Sequence, residues 1–398
     1  MTTIYLDHNA TTPIAAEAVA AMVDCYARHG ANPESQHALG RAARHTLEDA
    51  REGVAALLGV DLASRTPDQL IFTSGGTEAN HLALFGAWES DDPHAAQRSL
   101  VVSAIEHPSV LVAAEELARR GARLRLAPVD AQGVIDVAAL IDSVVPGTRL
   151  VSVMLANNET GVLQPIGRIA EACAARGAAL HTDAAQVVGK LPVDFHGLGA
   201  SLLSCAAHKF HGPPGIGALA IRHDVKLQPQ MWGGFQQSGL RPGTESVALA
   251  VGMRRALEVC LAEMDSRAER MRRLRDRFES RLSRGYPALV VQGASVARLP
   301  HASNVAFVGL DRQALFMALD VAGIAASTGS ACASGSSEPS PVLVAMGRPK
   351  AEIDSALRFS LGAGTTEAEI DDAVGRILMV CARMTAGHTA SAPPTIQR

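Results

Sequence analysis

No two cysteines in this 398-residue chain stand in a Cys-x-x-Cys pair; Cys25, Cys173, Cys205, Cys260, Cys332 and Cys381 are scattered along it. That scatter argues against a zinc site or a disulfide framework, so no metal is expected and a reducing cytoplasm is. Long apolar runs are missing too. None approaches the roughly 18 residues of a membrane span, and the opening Met1-Thr2-Thr3-Ile4-Tyr5 lacks the basic start and apolar centre of a signal peptide. Neither sign of charge dominates: 36 Lys and Arg face 40 Asp and Glu, a formal net charge of -4. Such a balance gives no reason to expect nucleic acid or an anionic membrane as partner. Nucleotide fingerprints are absent as well, since Gly189-Lys190 is followed by Leu191 where a phosphate-binding loop needs Ser or Thr. There is no internal repeat.

What the chain has is bulk and rhythm. With 47% hydrophobic and 19% charged residues it reads as a compact globular protein, long enough for two or three domains. Short apolar runs such as Gln69 to Thr73, Leu100 to Ser103, Leu124 to Ala127 and Leu150 to Met154 alternate with helical patterns at 78–88, 110–120 and 137–144. That alternation predicts an α/β fold with a largely parallel sheet between helices. The arginine-dense stretch 254–284 interleaves acidic and apolar residues at helical spacing. It predicts the body of one long salt-bridged helix running from about Ser246 to Arg284. Beyond it, a smaller α+β region shows strands near 304–308, 324–326 and 356–360. The expected division is a large domain over 15–255, a small one formed by 1–14 and 256–385, and a mobile tail at 386–398 rich in Ala, Thr and Pro.

The chemistry gathers around Ala206-Ala207-His208-Lys209-Phe210-His211-Gly212-Pro213-Pro214-Gly215. A lone lysine usually caps a strand and points into water. Here a turn with two prolines and two glycines fixes it between two apolar strands, where lost hydration favours the amine form that attacks a carbonyl. Upstream, Asp183 closes the apolar run that ends at Thr182 and so stands at a strand's carboxyl edge, where open α/β sheets bind ligands. An amine and a carboxylate at neighbouring strand ends match the needs of pyridoxal 5'-phosphate: one bonds its aldehyde, the other keeps its ring nitrogen protonated. Ser74-Gly75-Gly76-Thr77 turns from a strand into a helix, and the amides and dipole of that helix start suit a phosphate.

These motifs, with Asn157-Asn158-Glu159-Thr160-Gly161 and Ser330-Ala331-Cys332-Ala333-Ser334, make the chain resemble the pyridoxal-phosphate cysteine desulfurases. Those are fold-type I enzymes of the class V aminotransferase group, and the likeness is to their long-loop branch, from Tyr5 to Gly362. The resemblance implies that Lys209 holds the cofactor and removes the substrate α-proton, with Asp183 on the ring nitrogen and Gln186 on the ring oxygen. It further implies Asn158 near the ring and substrate, Gly76, Thr77 and His208 at the cofactor, and His107 stacked on the ring as proton shuttle. Without the likeness, His107 would be a plain turn residue and His37 a helix-start histidine. Thr244 is implied to reach the phosphate of the other subunit of a homodimer.

Cys332, in a run of small polar residues from Ser327 to Pro339, is implied to attack the sulfur of L-cysteine. It would leave alanine and a persulfide for a sulfur-acceptor protein, in iron-sulfur cluster assembly or thio-modification. Arg358, on the apolar strand Ala356-Leu357-Arg358-Phe359, suits a substrate carboxylate; its other reading is a structural ion pair. Three departures stand out: Ala206 where the family usually has Ser, Gly212-Pro213-Pro214-Gly215 for its Gly-Pro-Lys-Gly, and Gln236-Gln237 for its Gln-Glu. Losing one neutral phosphate bond costs about 1 kcal/mol, less than tenfold in cofactor affinity. The alternatives are a selenocysteine lyase, which would also use Cys332, another class V aminotransferase, which would not, and a non-catalytic scaffold for sulfur acceptors.

Overall fold

The computed structural model of the chain describes residues 2–88, 99–329 and 338–390. Its strands are β1 (Ile4–Tyr5), β2 (Gln69–Thr73), β3 (Ser99–Ser103), β4 (Arg123–Ala127), β5 (Thr148–Ser152) and β6 (Ala179–Asp183), followed by β7 (Leu202–Ala206), β8 (Gly217–Ile221), β9 (Leu289–Val291), β10 (Ala302–Phe307), β11 (Ile324–Ala325) and β12 (Ala356–Ser360). They fall into two compact units: a large one of residues 11–157 and 162–265, and a small one of residues 1–10, 158–161 and 266–398.

In the large unit seven strands form one sheet in the order β2-β8-β7-β6-β5-β3-β4. Five of them, β3 to β7, pair in parallel, and β8 lies antiparallel between β2 and β7. Every residue of β3, β7 and β8 is buried, as expected of strands covered on both faces by helices. Ile71, Leu82, Val102, Leu150, Leu202 and Leu219 share one apolar cluster, which ties the helix Gly76–Trp88 to the sheet. Since β8 opposes both neighbours, β2 runs in the direction of β7, and the carboxyl ends of β2, β3, β5, β6 and β7 open on one edge. Thr73, Gly217 and Ala206 stand in a single row across three strands at that edge.

The small unit has an antiparallel sheet, β12-β10-β9, and a parallel pair, β1-β11. Phe278, from the helix Met264–Gly285, tilts against Phe359 with ring centroids 5.1 Å apart, in a cluster with Phe307, Leu282, Val305 and Leu357. The helix Glu367–Ala390 extends into the stretch expected to be a mobile tail, and residues 391–398 lie outside the described residues.

One expected element divides. In place of a single helix to Arg284 there are two, Val247–Ala262 and Met264–Gly285, parted at Glu263, where φ is -116 and ψ is 11. The first packs on helices Ala16–Arg28 and Ala38–Leu58 of the large unit, the second into the core of the small one. Each buries its apolar face in a different unit, while the helical period of the sequence runs on through the break. The expected ion pairs do form, among them Arg254 with Glu258 at 2.8 Å and Arg272 with Glu269 at 2.7 Å.

Candidate active site

Asp183 is the last residue of β6, and Lys209 follows the end of β7 by three residues, in a short turn at 207–209. Because β6 and β7 pair in parallel, with Asp183 opposite Ser204, the carboxylate and the lysine turn belong to adjacent strand ends. Both carboxylate oxygens are fixed: Oδ1 accepts from the Ala185 amide at 2.9 Å and Oδ2 from Asn80 Nδ2 at 2.8 Å. Lys209 and His208 are half-buried. Burial, with Lys209 and Lys190 nearby, depresses the His208 imidazole to about 4, so it is neutral near pH 7. Its Nδ1 lies 3.2 Å from Thr11 Oγ1. Gln186 is buried, with its Oε1 3.4 Å from the Nζ of the buried Lys190.

The phosphate-type turn lies in the same row of strand ends. A Cβ on Gly217 would come 2.7 Å from the Gly75 carbonyl carbon and 2.6 Å from Cys205 O. Glycine at 217 is therefore what lets the Ser74–Thr77 turn settle against the start of β8. The helix that starts at Gly76 turns its first amides and positive dipole end toward this edge. Ala206 faces the turn: its methyl is 3.5 Å from where a Cβ on Gly76 would sit. Ser204 offers no replacement hydroxyl, because its Oγ is 2.8 Å from the ring of the buried His181. Glu78 Oε2 accepts from the Ser74 amide at 2.6 Å, and its Oε1 accepts from Arg241 Nε at 2.8 Å. Burial pushes the Glu78 carboxyl up, but those bonds outweigh it and hold it below the usual range.

Thr244 shares the wall of a cavity of about 170 Å³ with Thr73, Ser74 and Gly215. The loop before it is pinned by Gln237, whose Oε1 accepts from the Phe72 amide at 2.6 Å and from Arg51 at 2.9 Å, while its Nε2 donates to Phe72 O at 2.8 Å. At the end of β3, His107 caps the helix Pro108–Arg119, accepting from the Ser109 amide at 3.1 Å. His37 likewise caps the helix Ala38–Leu58, through a 3.2 Å bond from the Gly40 amide.

Sequence reasoning passed over Glu106, Asn80 and Ser109. Glu106 is fully buried, accepts from the Met154 amide at 2.6 Å, and is pushed well above the usual carboxyl range by burial, with Asp183 adding to it. Its place beside His107 was the only signal. Asn80 bonds Asp183 and, at 2.9 Å, Ser109 Oγ, which lies 2.7 Å from His107 Nδ1.

In the small unit Arg358 is 2% exposed; its Nη2 donates to Asp7 Oδ1 at 2.7 Å and its Nη1 to Asn158 O at 3.1 Å. The structural ion pair left open by the sequence thus exists. Arg358 Nε and Asn158 Oδ1 have no partner among the described residues. Glu159 accepts from Ser340 Oγ at 2.6 Å, and burial raises its carboxyl. Cys332 lies outside the described residues.

The residues of the large unit fit pyridoxal phosphate: a carboxylate and a lysine at adjacent strand ends, and a helix start that glycines leave open to a phosphate. A family model described as aminotransferase class V matches residues 4–373, and the chain belongs to that family, whose members use pyridoxal phosphate. A cysteine desulfurase of Cereibacter sphaeroides is 44% identical over 372 residues, covering 93% of this chain and 94% of that protein. The solved NifS-like protein superposes with a TM-score of 0.87 at 32% identity, covering 96% of this chain and all of that one. The solved SspA protein in complex with cysteine gives 0.77 at 31% identity, over 90% of this chain and 99% of that one. Within its family the chain is a cysteine desulfurase, an enzyme that takes cysteine as substrate.

Proposed function

We propose that the residues gathered at the strand ends of the large unit carry the desulfuration, with Lys209 as anchoring amine and base and Asp183 as partner of the ring nitrogen, and that Cys332, outside the described residues, is the sulfur nucleophile. The observation that carries this reading is the Asp183 carboxylate, held at both oxygens on the strand beside the one that leads into Lys209. When bound, pyridoxal phosphate supplies an electron sink for charge on the substrate α-carbon. Lys209 Nζ anchors the group and takes the Cα proton. Gly76, Thr77 and Thr244 hold the phosphate, Thr244 from the partner of a homodimer; His208 and Gln186 border the ring. Asn158 and Arg358 take the substrate, and the unpartnered Arg358 Nε and Asn158 Oδ1 support that role.

His107 moves protons at the sulfur. The Cys332 thiolate forms an S–S bond with the substrate Sγ, the electron pair of the broken Cβ–Sγ bond stays on Cβ, and Cβ takes a proton to give alanine. The persulfide then passes to an acceptor protein, for cluster assembly or thio-modification. Among the described residues no helix is long and apolar enough to cross a membrane; the scatter of the six cysteines along the sequence supports a reducing cytoplasm.

The test loads the protein with cofactor, adds L-cysteine or L-selenocysteine, and quantifies alanine and enzyme-bound persulfide. Cysteine is expected to give alanine with the persulfide on Cys332, and Cys332→Ala to lose alanine formation by more than about a hundredfold. Full turnover by Cys332→Ala would remove Cys332 from the mechanism. Turnover of selenocysteine alone would make the chain a selenocysteine lyase.

A further inference from the structure

Four side chains from three separated stretches form one hydrogen-bonded line. Asn80, the fifth residue of the helix Gly76–Trp88, spends both amide hydrogens: one on Asp183 Oδ2 at 2.8 Å, the other on Ser109 Oγ at 2.9 Å. Its orientation is fixed by charge, since the opposite flip would set the amide oxygen against the carboxylate. With Ser109 Oγ accepting from Asn80, the hydroxyl proton is left to donate across 2.7 Å to His107 Nδ1. The same nitrogen already accepts from the Ser109 amide at 3.1 Å. Two donors therefore converge on Nδ1, and a proton there would meet both.

We propose that Asn80 and Ser109 bridge the Asp183 carboxylate to His107, holding the imidazole neutral with its proton on Nε2. They act as positioning residues: Asn80 fixes the carboxylate, Ser109 orients the ring, and neither touches the reacting atoms. Asn80 is 1% and Ser109 8% exposed, so water does not compete for these bonds. The consequence is directional. The ring offers Nε2–H as a hydrogen-bond donor, and the line from Asp183 sets its orientation. The inference rests on the assignment of Asp183 and His107 to the active site, yet the bridge itself is a property of the chain alone.

The experiment uses protein labelled with nitrogen-15 histidine and follows two-bond proton–nitrogen correlations through a pH titration, with His107 identified by the signals lost in His107→Gln. In the unaltered protein Nδ1 is expected to stay unprotonated at a pH where a free imidazole is mostly charged, below about 6.5. In Ser109→Ala the second proton should arrive about 0.5 to 1 pH unit higher, the equivalent of one lost neutral hydrogen bond, and Ser109→Thr should restore the original behaviour. Asn80→Ala is the decisive variant, because Asn80 does not bond His107; a shift of the same sign there, with Ser109 intact, establishes the bridge. If Asn80→Ala leaves His107 unchanged, or if His107 carries its proton on Nδ1, the proposal is wrong. Should Asn80→Ala fail to fold, Asn80→Thr tests the same bond. These readouts need no turnover, so a failed bridge leaves the desulfurase assignment standing, and a failed activity assay leaves the bridge.

Discussion

Ala206 sets a methyl group under the glycine turn, 3.5 Å from where a Cβ on Gly76 would sit, beside the helix start proposed to hold the phosphate. Ala206→Ser should therefore tighten cofactor retention by up to about tenfold, the worth of one neutral hydrogen bond. Equilibrium dialysis followed by visible absorbance measures it, and equal retention in both proteins would mean that the phosphate is satisfied elsewhere. At this scale the sequence was uneven in what it disclosed. Lys209 and Asp183 could be read from it because their residue types are costly at apolar strand ends and so need a reason. Asn80 and Ser109 could not, since an asparagine and a serine near helix starts are ordinary, and their partners lie 103 and 29 residues away. Arg358 was legible as a cation on an apolar strand, but its pairing with Asp7, two residues past β1 at the far end of the chain, was not.

Elements were legible where their period matched a burial pattern. β2 was read from the sequence to the residue, and the alternation of strand and helix gave the parallel sheet. Where one apolar stripe serves two cores, periodicity fails, and so the break at Glu263 stayed hidden. β9 was missed because its three residues are only half-buried and too few to show alternation. Gly217 opens β8, and the turn that would hold a phosphate depends on its missing side chain. In Gly217→Ala three backbone atoms stand closer to the new methyl than real contacts allow, and backbone cannot swing aside as a side chain can. The substitution should cost about 1 to 3 kcal/mol of stability and weaken cofactor binding with it. Thermal unfolding with and without cofactor reads both; a variant of unchanged stability and retention would show that the turn can shift at no cost.

Across the whole molecule, folding itself should carry the mark of the buried titratable groups. His181 lies between Ser152 and Ser204 and is depressed to about 4 by burial, against an opposing pull from Asp183. Its contribution is complete above the unfolded value of about 6.5 and is lost as pH falls toward the folded one. Glu106 works the other way. Its folded carboxyl keeps a proton that the unfolded chain releases above about 4.5, so this contribution is full in acid and declines as pH rises. Glu106→Gln keeps an acceptor for the Met154 amide and removes the ionisation. Its stability relative to the original protein should therefore grow between about pH 5 and pH 8. Urea midpoints at the two values decide it, and a constant difference would mean that Glu106 is ionised in the fold. A last consequence concerns what the molecule does among its neighbours. β2 is the outer strand of a seven-stranded sheet, the kind of border on which another chain can lay a strand and begin an aggregate. At Phe72 the side-chain amide of Gln237 already occupies the backbone donor and acceptor that such an intruder would use, as one link of a strand would. The loop that leads to Thr244 thus also works as a selvedge, finishing the fabric so that it does not knit to the next piece.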